Sequence, residues 1–110
     1  MKNYCLYLKN ILKSYSKEDI IFSNHAIIRI KQRQIDIKEI KHNLIYPDKL
    51  KFALKQYSYK KSEEKFDCYF DYSKNLCHRY IIVIKKNILI VTAIKINKKW
   101  QNIILKKIGK

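Results

Sequence analysis

Hydrophobic positions along this chain fall first at helical and then at strand spacing. Tyr4, Cys5, Leu8, Ile11, Leu12 and Tyr15 recur every three or four residues, which predicts an amphipathic helix over about 3–15. The short apolar segment Ile20-Ile21-Phe22 follows. Ser23 stands where an N-cap belongs, its hydroxyl able to accept an otherwise unpaired backbone N–H. A second helix is predicted over about 24–34, with Ala26, Ile27 and Ile30 on one side. Asp36 and Glu39 have the spacing of a capping box for a third helix. That helix buries Ile37, Ile40 and Leu44 and stops before Pro47, whose ring disfavours helix in the residue ahead of it.

The period then changes to two. Leu50, Phe52 and Leu54 alternate with polar residues, and so do Phe66, Cys68, Phe70 and Tyr72. Glu63-Glu64 reads as a solvated hairpin tip and Ser73-Lys74-Asn75 as a turn. Tyr80-Ile81-Ile82-Val83-Ile84 is a continuous, largely β-branched run, which predicts a central strand buried on both faces. Lys85-Lys86-Asn87 turns the chain into another such strand over Ile88–Ile96. Trp100, Ile103, Ile104 and Ile108 return to helical spacing, so a short closing helix is expected. The predicted architecture is α+β, with two to three N-terminal helices packed on one face of a four-stranded antiparallel sheet. At 110 residues there is material for one core, so residues 1–110 are expected to form a single domain.

Charge changes the picture. The formal net charge is +16, and all nine acidic residues lie at or before Asp71. From Tyr72 onward there are Lys and Arg residues and no acid at all. A domain with this self-repulsion is expected to meet a polyanion, and phosphate backbones are the commonest one. Frequent Lys, Ile, Asn and Tyr match the compositional drift of AT-rich genomes, but drift does not account for an acid-free final third.

Other features narrow the class. The stretch Tyr4–Tyr15 is broken by Lys9, Asn10 and Lys13, so neither a leader nor a membrane span is expected there. Three cysteines without paired spacing fit a reducing cytoplasm better than a disulfide framework. Cys68, Cys77 and His78 match no zinc-knuckle spacing, and Cys68 falls on an apolar strand stripe, so no metal is expected. The single Gly, at position 109, excludes a glycine-rich nucleotide loop, and no cofactor is expected.

The candidate chemistry lies in the rare arginines. Only Arg29, Arg33 and Arg79 break a cation set otherwise made of Lys. Arg offers a planar fork that holds phosphate bidentately and stacks on bases, which Lys cannot do. His25-x3-Arg29-x3-Arg33 places three such groups along one stripe of the second helix. Aligned cations repel, so the row favours an anion against it; the plain alternative is a solvated helix face.

At this helix a resemblance emerges. Ser23-Asn24-His25-Ala26-x-x-Arg29-x-x-x-Arg33-x-Ile35 resembles a small prokaryotic domain of unknown function whose sequences carry a His-Ala-x-x-Arg-x-x-x-Arg-Gly-Ile helix. Pro47-Asp48 after the next helix and the strand pair Arg79–Ile84 and Ile90–Ala93 extend the likeness over about residues 20–96. Where that pattern has Gly, this chain has Gln34, so the helix-ending turn must be made differently. The family in turn looks like the RelE/ParE and BrnT toxin group. That likeness implies two helices before an antiparallel sheet and metal-independent endoribonuclease chemistry by scattered Arg, Lys, His and Tyr side chains. On this reading His25 is the acid–base group, because imidazole titrates near neutrality, and Arg29 and Arg33 clamp phosphate. Arg79, Lys95, Lys98 and Lys99 complete a basic groove, and Tyr80 stacks on a base, although its place in a β-branched run favours the core.

The leading expectation is therefore an RNA-binding, toxin-like domain, RNA being favoured over DNA; cleavage of that RNA is what the resemblance implies and is left open by the residues themselves. Its rivals are a non-catalytic nucleic-acid-binding module and a basic subunit that docks an acidic, antitoxin-like protein.

Overall fold

The computed structural model describes residues 2–97. Three helices, α1 (Cys5–Leu12), α2 (Asn24–Gln32) and α3 (Ile37–Ile45), lie on one face of a five-stranded sheet. The strands are β1 (Ile20–Phe22), β2 (Leu50–Gln56), β3 (Glu64–Asp71), β4 (Leu76–Ile84) and β5 (Ile88–Asn97), in the spatial order β1-β5-β4-β3-β2. Strands β2 to β5 form the antiparallel meander that alternation predicts. The α+β class stands, but the sheet is mixed: Ile20-Ile21-Phe22 is a fifth strand, paired parallel to β5 through Ile88, Leu89 and Ile90. Three residues are too few to display a period, so pattern reading misses it. The expected closing helix, with Lys98 and Lys99, lies outside the described residues.

The core sits between helices and sheet. Leu8, Leu12, Ala26, Ile30, Ile40 and Leu44 pack on Phe66, Cys68, Phe70, Tyr80, Ile82 and Ala93, all buried. Of the predicted central run, Tyr80, Ile82 and Ile84 are buried, whereas Ile81 and Val83 are half-buried. Strand β4 also begins four residues before that run, because Cys77, His78 and Arg79 pair with Asp71, Phe70 and Tyr69. On the opposite face a smaller cluster holds Phe52 stacked on Tyr69 at 4.2 Å, beside buried Cys77. Glu64 is no free hairpin tip: it accepts bonds of 2.8 and 2.9 Å from the Tyr7 hydroxyl and pairs with Lys55 at 3.1 Å.

Local chemistry fixes the helix ends. The Ser23 hydroxyl accepts from the Ala26 N–H at 3.0 Å, as an N-cap should. Asp36 caps α3 by accepting from the Lys38 N–H at 2.9 Å; Glu39 turns toward β4 instead of back to that cap. At the end of α2, Ile35 N–H reaches the Ile30 carbonyl and Gln34 N–H the Lys31 carbonyl, at 3.1 and 3.2 Å. These two bonds, with Ile35 packed near Ile30, make a Schellman turn. Its left-handed position is Gln34, at φ 55°. The residue thus does without help what glycine does freely.

Candidate nucleic-acid interface

The α2 stripe does not run straight. A four-residue step advances about 40° past a full turn. His25 and Arg29 are accordingly exposed, while Arg33 winds in toward the sheet. Its Nη1 donates to the Ala93 carbonyl of β5 at 2.9 Å. His25 and Arg33 are separated by two turns, about 12 Å along the axis. Among the described residues neither Arg29 nor Arg33 pairs with a carboxylate.

A β-bulge decides what faces the end of this stripe. Ile81 pairs with Thr92 but Ile82 with Ile90, so Val91 is an extra residue in β5. The insertion reverses the alternation, so that Ile88, Ile90, Ala93 and Lys95 share the helix side. Strict period two would put Lys95 on the other face. Instead Lys95 lies opposite His78 in register. Its ammonium is 4.9 Å from the centroid of the Tyr72 ring, which stacks on His78 at 4.3 Å and 16°.

His78 is buried and held by a polar chain. Asn43 Nδ2 donates to the Tyr80 hydroxyl at 2.9 Å, and that hydroxyl lies 2.7 Å from His78 Nδ1. An amide donor on the oxygen leaves the hydroxyl hydrogen for Nδ1, so neutral His78 carries its proton on Nε2. Nε2 is 3.4 Å from Glu39 Oε1 but is not aligned for a hydrogen bond and has no such partner. Burial, reinforced by Lys95 and Lys49, lowers the His78 pKa to about 4. At neutral pH the contact with Glu39 is therefore carboxylate to neutral N–H, not an ion pair. Burial likewise raises the Tyr80 phenol, keeping it protonated. Glu39 is the part of the network that meets solvent, with 39% of its side chain exposed.

Several expected site residues fall elsewhere. Arg79 faces the opposite side of the sheet from α2, because it is one residue from His78 on the same strand. Its guanidinium grips Asp67 with two bonds of 2.8 Å, so its charge is spent inside the fold. Tyr80 is fully buried and cannot stack on a base. Cys68 and His78 share the helix side, whereas Cys77 faces away, so the three do not converge. The structure adds Glu39, Asn43, Tyr72 and His78 to the candidates. Their signal in the sequence is the i, i+2 pair His78 and Tyr80, which a strand must put on one face.

Three helices against a mixed five-stranded sheet, with an arginine-bearing second helix over the edge-proximal strand, define a small α+β domain whose most distinctive surface is cationic. The chain matches over residues 22–108 the family described as a domain of unknown function, DUF4258, and belongs to it. No curated protein and no solved structure matches. Among the described residues no helix is long and apolar enough to cross a membrane.

Proposed function

We propose that this chain binds RNA along the α2–β5 face and cleaves it without a metal ion, in the manner of the toxins it resembles. The observation that carries the reading is that Arg33 is anchored on β5 two residues from Lys95. Arg33 reaches the backbone at Ala93, and Lys95 stands two residues on, about 7 Å along the strand. Arg29 extends this cationic row, and the net charge of +16 supplies the long-range attraction.

Transesterification needs a base for the ribose 2′-OH, cations for the phosphorane charge and an acid for the leaving oxygen. Arg33 and Lys95 supply the charge stabilisation, and the Lys95 ammonium gives a proton to the leaving 5′-oxygen. Glu39 is the base on this reading: its carboxylate is half-exposed and adjoins an imidazole N–H whose proton is fixed by Tyr80. His25, about 12 Å from Arg33, is too far to act on the same phosphate and contacts a neighbouring nucleotide. That separation also favours a second reading, a binding module with no turnover.

Labelled RNA incubated with chelator and wild type, Arg33→Ala or Glu39→Gln, resolved on a denaturing gel, tests the assignment. Discrete cleavage by wild type that Glu39→Gln abolishes, with RNA affinity retained, supports it. Intact RNA in every lane with tight binding leaves the binding module. Absence of both binding and cleavage overturns the proposal.

A further inference from the structure

The end of the sheet away from His78 carries a second surface. Between β2 and β3, Tyr57 and Tyr59 are 78% and 92% exposed, their rings edge to face at 5.2 Å. Two tyrosines so exposed gain nothing from burial within this fold. Tyr57 lines, and Tyr59 adjoins through that ring contact, an open cleft of about 960 Å3, within the range of ligand sites, whose cationic side chains are Lys2, Lys55, Lys60 and Lys61. Lys55 and Lys60 pair with Glu64 and Glu63 at 3.1 and 3.9 Å, which leaves four cations facing two carboxylates. Lys2 and Lys55 also lie 4.9 and 5.8 Å from the Tyr4 ring at the cleft wall.

Exposed rings flanked by Lys match the chemistry of single-stranded nucleic acid. Every base has a π face that stacks on an aromatic ring, and its phosphates seek the lysines alongside. A duplex hides those base faces, and an acidic peptide has no use for two bare rings. We infer that the Tyr57–Tyr59 loop and its lysine-lined cleft bind a single-stranded stretch of RNA by base stacking, apart from the α2–β5 face. The inference rests on the RNA reading above and assigns the strand state that this second surface selects. Strand β3, eight residues long, separates the two ends by about 25 Å, so one RNA must extend several nucleotides to touch both.

The test is fluorescence anisotropy of the full chain with a labelled unstructured oligonucleotide and with a duplex RNA of equal length. The paired substitution Tyr57→Ala with Tyr59→Ala should weaken the single strand by about tenfold or more and leave the duplex unchanged. Tyr57→Phe with Tyr59→Phe, which keeps the rings, should restore the affinity. Both positions are exposed, and melting curves confirm that the variants fold. Single-strand affinity unchanged in the alanine pair, while Arg29→Ala weakens it, would overturn this inference and leave RNA binding standing. An equal loss for single strand and duplex also overturns it, since stacking is not then the cause. If wild type binds neither RNA, both readings fall together.

Discussion

Tyr80 gives its one hydroxyl hydrogen to Nδ1 of His78, 2.7 Å away, because the Asn43 amide already donates to the same oxygen at 2.9 Å. The direction of this chain sets the tautomer of His78, leaving its proton on Nε2, which lies 3.4 Å from Glu39 Oε1 without a hydrogen bond to it. It also makes His78 reluctant to charge, since Nδ1 can take up a proton of its own only if the hydroxyl hydrogen now pointing at it turns away.

The first prediction follows from that reluctance. Burial, with Lys95 and Lys49, holds His78 near pKa 4 in the fold, against about 6.5 in the unfolded chain. Between those values the unfolded state binds more protons, so stability falls as pH drops from about 6.5 to 4 and the loss levels off below. The limiting slope from this one group is about 1.4 kcal/mol per pH unit. Urea midpoints measured between pH 7 and 4.5 should show the decline, and His78→Gln should flatten it relative to wild type. Parallel profiles for the two proteins would refute the assignment.

A second prediction concerns Gln34. Its φ of 55° is the left-handed position of the Schellman turn, where a side chain is strained and glycine is not. Gln34→Gly should stabilise the fold by about 0.5–1 kcal/mol, after the added freedom of the unfolded chain is discounted. Thermal melts should rise by several degrees, roughly 4 °C per kcal/mol. Gln32→Gly, at the last position of α2, should move the melt the other way by a smaller amount. A fall with Gln34→Gly would mean that the side chain, not the backbone, holds the turn.

The helices and the meander were legible because their periods are long enough to read, and Ser23 and Asp36 mark their starts. The parallel strand was not, since Ile20-Ile21-Phe22 shows no alternation and its partner lies at the far end of the sequence. The candidate site was legible only in part. Arg33 belongs to the helix stripe but winds from it toward the sheet, and Lys95 reaches the helix side through a bulge at Val91 that no local signal announces. Arg79 drew notice as a rare arginine; its partner Asp67 is adjacent only across the β3–β4 ladder, a non-local pairing.

That pairing yields a third prediction. Asp67 is buried, accepts two bonds of 2.8 Å from Arg79 and one of 3.1 Å from the Tyr69 hydroxyl. Arg79→Ala strands the carboxylate in the sheet, which costs about 3 kcal/mol. Asp67→Asn with Arg79→Ala should recover part of this by removing the charge. Denaturant titration measures both, and the folded fraction of Arg79→Ala should bind RNA as wild type does. A loss of affinity without loss of stability would return Arg79 to the interface.

The last prediction separates phosphate contact from mere positive charge. Each cation that neutralises a phosphate releases counterions, so the slope of log affinity on log salt counts those contacts. Arg29 is exposed on α2 and pairs with no carboxylate among the described residues. Arg29→Ala should therefore leave the melt unchanged while lowering the salt slope on RNA by about 1. Lys51→Ala is the control: Lys51 already pairs with Asp71 at 3.3 Å, so its removal should alter the slope less. Equal changes in both variants would mean that RNA responds to net charge alone. In that event the α2 stripe is a solvated helix face, and the arginines owe their place to something other than phosphate.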